Sequence, residues 1–232
     1  MASPQGVYRI ISVGGSIIIP KTGFDLVFLK KFRDLILKQV KQGMKFLLVV
    51  GGGATCRQYQ ATLAHVADVT DDDLDWLGVY TTVFNAQFVR LLFKDVAYEK
   101  VVSDPTKKIK TNKSIIIISG WKPGWSTDNC ATLLAKTYKA KELINLSNID
   151  YVYDRDPMKF TNAKKIEDID WFSFRKEIVG NMWNPGANAP FDPIASKEAE
   201  KLRLTVKMVK GTNLKEVENV LMGKKFKGTV IM

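Results

Sequence analysis

Histidine and cysteine are almost missing from this chain of 232 residues, which has one histidine and two cysteines. A metal or catalytic site built from several histidines is therefore excluded, and so is a cysteine-rich zinc site. Two cysteines are also too few for a disulfide scaffold, and they are typical of a reducing cytoplasm. We interpret His65, Cys56 and Cys130 as structural residues, because small thiols and a histidine at helical spacing from apolar neighbours usually belong to a core.

Long apolar runs are missing as well. No run approaches the roughly 20 apolar residues that a membrane-spanning helix needs. The first six residues also lack the basic and apolar segments of a signal peptide. Hydrophobic residues nevertheless make up 46% of the chain, which is enough for a core and excludes intrinsic disorder. We therefore expect a cytoplasmic protein that does not act at a membrane.

Blocks of like charge are absent, although the formal net charge is +11. Residues 1–60 hold most of the excess, with nine basic and two acidic side chains, or +7. No run of five or six basic residues and no basic tail occurs, so nothing favours binding to nucleic acid. The charge is better explained by a lysine-rich surface and a small anionic ligand.

The order of apolar segments predicts alternating strands and helices. Strands are predicted over 8–13, 44–50, 114–119, 142–146, 204–209 and 228–232. Helices are predicted over 25–42, 54–66, 71–93, 128–139, 171–179, 192–202 and 213–222. Four consecutive isoleucines in the third strand indicate burial on both faces, as in a parallel sheet. The prediction is an α/β fold, a three-layer αβα sandwich with a mostly parallel central sheet, forming one domain of two lobes.

Three of the predicted strands end in glycine-bearing loops that open helices: Gly14-Gly15, Gly51-Gly52-Gly53 and Gly120 to Gly124. Glycine lets the backbone approach a ligand, and the free N–H groups of a helix's first turn favour an anion. In a parallel sheet these loops share the carboxyl edge, so together they predict a site for several phosphates. None of them matches the P-loop pattern or the dinucleotide-binding glycine pattern.

Six motifs in order make the chain similar to the amino-acid-kinase superfamily, and within it to the uridylate kinases of archaeal type. The motifs are Gly14-Gly15-Ser16; Gly51-Gly52-Gly53 with Arg57; Gly78 with Asn85; residues 123–128; residues 148–157; and Phe191-Asp192-Pro193-Ile194-Ala195 followed by Gly223, Gly228 and Thr229. The resemblance covers about residues 8 to 232.

The resemblance implies phosphoryl transfer from ATP to UMP, giving UDP and ADP in pyrimidine nucleotide biosynthesis. It implies the amino-acid-kinase (carbamate-kinase-like) fold, with the phosphate-acceptor side in residues 1–140 and the ATP side in residues 141–232. It also implies Mg²⁺ bound with ATP and a homohexamer built from dimers. Such chemistry needs positioning and charge neutralisation, and no histidine base, because the attacking phosphate oxygen is already ionised.

Site residues follow by position from the same resemblance. The implied ATP-binding residues are Gly15, Ser16, Gly53, Arg57, Ser147, Asn148, Tyr153 and Asp156. The implied UMP-binding residues are Gly52, Asp75, Trp121, Lys122, Pro123, Gly124, Trp125, Ser126 and Thr127. The implied catalytic positions are Arg57, Asp128 and Ser12, with Asp128 orienting the donor side or Mg²⁺ and no dedicated metal ligand in the protein.

The chain departs from the family pattern at one central position. Most members have a lysine on the first strand where this chain has Ser12, so the positive charge must come from elsewhere; candidates are Arg57, Lys122 and Lys164. Trp121 and Trp125 also replace the smaller or different side chains that are usual there. Two alternatives stay open: a catalytically degenerate nucleotide-binding or oxyanion-storage protein on this fold, or a kinase for another small phosphate.

Overall fold

The computed structural model describes residues 7–180 and 189–232. Its strands are β1 (Tyr8–Val13), β2 (Lys45–Val50), β3 (Ile115–Ile118), β4 (Glu142–Ser147), β5 (Val152–Tyr153), β6 (Lys165–Ile166), β7 (Asp168–Ile169), β8 (Thr205–Lys210) and β9 (Thr229–Ile231). Its helices are α1 (Gly15–Ile18), α2 (Leu26–Lys41), α3 (Gly53–Val66), α4 (Asp71–Leu92), α5 (Thr127–Tyr138), α6 (Trp171–Ser173), α7 (Pro193–Lys201) and α8 (Leu214–Leu221). A π-helical turn, Phe174–Val179, continues α6.

The central sheet has seven strands in the order β3-β2-β1-β4-β8-β9-β7. Its pairs are parallel except β8 with β9, so the prediction of a mostly parallel sheet is confirmed. β5 and β6 form a separate antiparallel pair. Because β1 lies between β2 and β4, the loop after β1 occupies the middle of the carboxyl edge of the sheet.

Helices cover both faces of the sheet, which confirms the αβα sandwich. α2, α4 and α8 pack one core against the sheet through residues such as Phe32, Val89 and Val217. α5, α6 and α7 pack the other through Leu134, Trp171 and Ala195. Successive residues of one strand therefore enter different cores, which is why the central strands are apolar at every position. Among the described residues, no helix is both long and apolar enough to cross a bilayer.

The segment predicted as one helix over 171–179 is instead one α turn followed by a π turn. Phe174 is completely buried, and both Ile178 and Val179 pack against the same core. The wider π turn brings residues four and five positions apart onto one face, which accounts for the difference. The predicted caps of α2 are confirmed, with Asp25 accepting a hydrogen bond from the N–H of Phe28 and Gly43 at φ +90°.

The loops after β1 and β2 are packed backbone against backbone. A Cβ atom on Gly15 would collide with the backbone nitrogen of Gly53 and lie 2.7 Å from the carbonyl carbon of Gly51. A Cβ on Gly53 would in turn lie 2.7 Å from the carbonyl oxygen of Gly15. The absence of side chains is therefore a packing requirement where these strand ends meet.

We expect Gly15→Ala to destabilise the protein severely, because the neighbouring atoms are backbone and cannot rotate away. Overpacking of this kind costs roughly 1–3 kcal/mol or more. Gly43→Ala is the matched control, since its Cβ meets nothing within 4 Å and only the positive φ is strained, at about 1 kcal/mol. Thermal and urea unfolding of both variants measures the difference, and equal losses of stability would contradict the packing argument.

Candidate active site

Two buried side chains of α4 hold the strand ends in place. Asn85 donates hydrogen bonds from Nδ2 to the carbonyl oxygens of Gly51 at 3.0 Å and Gly52 at 2.9 Å. Thr82, one turn earlier, accepts the N–H of Gly120 on Oγ1 at 2.7 Å. The loops after β2 and β3 are thus fixed to one face of one helix, and each buried polar group has a partner.

The helices that begin at the first two glycine loops lack side-chain caps. Gly14 precedes α1 and Gly52 precedes α3, and neither can offer a side-chain oxygen. Every described α-helix of eight or more residues other than α3 has such a cap, provided by Asp25, Thr70, Ser126, Asp192 and Asn213. Part of each first turn is bonded within the chain, because the N–H of Ile17 donates to the carbonyl of Gly14 and that of Ala54 to the carbonyl of Ile19. Only the other N–H groups of these first turns are available to an external anion.

A first cavity of about 480 Å³ lies between α3, α4 and the loop after β3. Eight of the nine predicted UMP-binding residues line it: Gly52, Asp75, Lys122, Pro123, Gly124, Trp125, Ser126 and Thr127. Asp75 Oδ2 accepts the N–H of Gly124 at 2.8 Å, which ties this loop to α4. The cavity is large enough for a small ligand such as a nucleotide.

Trp121 is the predicted UMP-binding residue that does not line this cavity. It packs against the second core, and its ring lies 5.1 Å from that of Trp125 at an angle of 70°. Trp125 does line the cavity, so the two tryptophans form an edge-to-face pair at its rim.

A second cavity, of about 330 Å³, lies beyond the end of β4. Four of the eight predicted ATP-binding residues line it: Ser147, Asn148, Tyr153 and Asp156. Arg155 also lines it, with its guanidinium 3.4 Å from the carboxylate of Asp154. The strands β2 and β4, which lead to the two cavities, lie on either side of β1.

The remaining predicted residues have different placements. Gly15, Ser16 and Gly53 lie on the loops between the two cavities and line neither. Arg57 is exposed on α3 and lines neither cavity. Its assignment to a catalytic and ATP-binding role stays a prediction, as do the other assignments to individual substrates.

Ser12 and Asp128 meet at the centre of the sheet edge. The hydroxyl of Ser12 donates to Asp128 Oδ1 at 3.1 Å, and Asn145 Nδ2 donates to the same oxygen at 2.8 Å. Asp128 as a whole residue is half-buried, but burial of its carboxyl group, together with the nearby carboxylate of Asp192, raises its pKa to about 7. Near neutral pH this carboxyl group is therefore able to hold a proton.

Sequence reasoning missed the positioning roles of Thr82 and Asn145. Asn145 had a detectable signal, because a polar amide in the otherwise apolar interior of β4 needs a partner. Thr82 had none, since a threonine inside a helix can satisfy its hydroxyl locally, as Thr82 does by donating to the carbonyl of Val79.

We expect Asp128→Asn to change how stability depends on pH. The folded protein holds the Asp128 proton more tightly than the unfolded chain, whose aspartate has a pKa near 3.9, so wild-type stability falls as the pH rises from 5 to 8. The expected loss in the free energy of unfolding is about 2 kcal/mol. This is less than the full pKa shift of Asp128 would give, because the residue keeps some contact with solvent. Urea unfolding at both pH values should show this loss in the wild type and in the exposed control Asp68→Asn, but not in Asp128→Asn.

The fold and the uncapped helix starts are those of a phosphate-binding α/β protein. The chain belongs to the amino acid kinase family, whose family model matches residues 8–209. The superfamily resemblance seen in the sequence motifs is thereby confirmed.

Curated relatives narrow the similarity to one group within that family. The chain is 29% identical to the uridylate kinase of Sulfolobus acidocaldarius over 208 residues, covering 88% of this chain and 91% of that protein. It is 30% identical to the uridylate kinase of Methanocaldococcus jannaschii over 224 residues, covering 96% and 98%. Both organisms' proteins are matched over almost their whole length.

Solved structures agree with these relatives. The structure of uridylate kinase from Archaeoglobus fulgidus matches with a TM-score of 0.80 at 26% identity, covering 97% of this chain and all of that one. UMP kinase from Bacillus anthracis matches with a TM-score of 0.76 at 18% identity, which shows the shared fold alone.

Proposed function

We propose that this protein is a UMP kinase that transfers the γ-phosphoryl group of ATP to UMP and releases UDP and ADP. The observation that carries the proposal is the strand order, which sets the uncapped starts of α1 and α3 between two nucleotide-sized cavities. The similarity to archaeal uridylate kinases supports the choice of substrates.

In this proposal UMP occupies the first cavity and ATP the second, so that their phosphates meet over the glycine loops. ATP enters with Mg²⁺ as its counter-ion, held mainly by phosphate oxygens. The protein's part is to align the two phosphates and to offer N–H groups to their oxygens. No general base is needed, because the attacking oxygen of UMP is already ionised.

The two cavities also suggest which lobe of the domain binds which substrate. Residues 1–140 would form the acceptor lobe and residues 141–232 the ATP lobe; the first cavity is lined by residues 52–127 and the second by residues 147–190, which supports this division. Asp75 would bind the ribose hydroxyls of UMP, and Ser147, Asn148, Tyr153 and Asp156 would hold the adenosine of ATP. Asp128, held by Ser12 and Asn145, would orient the donor side.

A coupled assay of ADP release with Mg-ATP and a panel of nucleoside monophosphates tests the proposal. We expect turnover with UMP to exceed that with AMP, GMP and CMP by at least tenfold. Tight ATP binding without turnover of any monophosphate would instead favour a nucleotide-binding or storage protein, the reading that the serine at position 12 keeps open.

Asp75→Ala should raise the Michaelis constant for UMP at least tenfold and leave that for ATP within about twofold. The side chain lines the first cavity and fixes its loop, whereas the second cavity has no contact with it. Asp72→Ala is the matched control, since this aspartate is exposed on the same helix and outside the cavity. Steady-state kinetics with each substrate varied in turn gives both constants, and a larger change for ATP than for UMP would contradict the assignment.

We also propose that the protein forms homo-oligomers, as the family resemblance implies. Phe28 and Phe32 of α2 are buried in the chain's own core, so these two side chains are not available for an interface. The exposed alternative is an aromatic ridge on α4, formed by Trp76, Tyr80 and Phe84, whose exposed fractions are 40%, 65% and 75%. A second copy of this chain would cover the ridge.

The double variant Tyr80→Glu, Phe84→Glu should shift the protein to a smaller species, because buried charges oppose association. Light scattering coupled to size exclusion measures the mass. Phe172→Glu, an equally exposed phenylalanine on the other face of the sheet, should leave the mass unchanged. An unaltered mass in the double variant would remove the ridge from the interface.

A further inference from the structure

The first cavity has a charge opposite to what a phosphate-bearing acceptor requires. Two carboxylates, Asp71 and Asp75, line it, and Lys122 is the one cationic side chain among its lining residues. The lining is therefore net negative, while UMP carries a doubly charged phosphate. Bringing that phosphate beside the phosphates of ATP requires a cation that faces them.

The other cations considered for this task do not line the first cavity. Arg57 is exposed on α3 and lines neither cavity. Lys164 belongs to the turn before β6, where its backbone is hydrogen bonded to Asp154 on the side of the second cavity. Ser12 on β1 has only a hydroxyl, and that hydroxyl is used by Asp128.

Lys122 is held at the rim of the cavity by the two tryptophans. Its Nζ lies 4.3 Å from the ring centroid of Trp121 and 5.2 Å from that of Trp125. Within the described residues no carboxylate comes within ion-pair distance of it. Cation–π attraction places the ammonium without neutralising its charge, so its N–H donors stay available to phosphate oxygens.

The loop that carries this lysine is itself anchored. Gly124 has a φ of +73° and donates its N–H to Asp75, and Ser126 caps α5 by accepting the N–H of Asn129. The ammonium is therefore presented from a fixed turn, and an ordered cation loses less conformational freedom when it meets its anion.

We propose that Lys122, held beside the rings of Trp121 and Trp125, is the catalytic cation that contacts the acceptor phosphate and takes the place of the lysine missing from β1. This inference rests on the proposed UMP kinase activity. It also explains the two tryptophans, which stand where the family has smaller or different residues: they hold the cation in position.

The test compares UMP with uridine, which lacks the phosphate, by equilibrium titration of the whole protein. Lys122→Met should weaken UMP binding at least tenfold and leave uridine binding within twofold, because only the phosphate contact is lost. Lys122→Arg keeps the charge and should stay within about threefold of the wild type for both ligands. Lys108→Met is the matched control, since Lys108 is also exposed over an aromatic ring, 5.4 Å from that of Tyr138, but outside the cavity.

Kinetics supply a second readout that a structural role would not produce. The turnover number of Lys122→Met should fall at least a hundredfold with saturating UMP, while Lys122→Arg and Lys108→Met retain it within fivefold. Equal weakening of UMP and uridine in Lys122→Met, or unchanged UMP binding and turnover, would overturn the inference. If the wild type itself does not bind UMP, the proposed function fails instead, so the two failures are distinguishable.

Discussion

The contact between the backbone of Gly15 and that of Gly51 and Gly53 determines how the rest of the site is built. It lets the ends of β1 and β2 approach so closely that no side chain fits between them. The starts of α1 and α3 are consequently adjacent. Asn85 then fixes the loop after β2 to α4, and both that loop and α4 line the first cavity.

Local signals were enough to predict the main elements. Ile115 to Ile118 form a fully buried strand and Asp25 caps α2, both as their neighbours in sequence indicate. Elements that depend on distant contacts were not predictable in this way. α1 has only four residues, and β7 exists because it pairs with β9 sixty residues later.

The same distinction applies to the site. The motif residues 123–127 line the first cavity, and several residues of the motif 148–157 line the second; their assignment to UMP and ATP stays a prediction. Thr82 positions the loop after β3 by accepting a hydrogen bond from Gly120, which is remote in sequence. No local sequence pattern therefore indicates its role. The net positive charge of the chain does not indicate the charge of the site. The lysines lie largely on the surface, whereas the described linings of both cavities hold more acidic than basic side chains.

α4 joins two otherwise separate parts of the molecule. One face of this 22-residue helix holds Asp75, Thr82 and Asn85 against the strand ends, and the other exposes Tyr80 and Phe84 to a neighbour. A helix of that length spans about 33 Å. If neighbouring subunits meet through that ridge, a shift of the helix by one of them displaces the hydrogen-bond donors and acceptors of both glycine loops together. Cooperativity between subunits would then need no other element, because the helix that contacts the neighbouring subunit also holds the loops of the site.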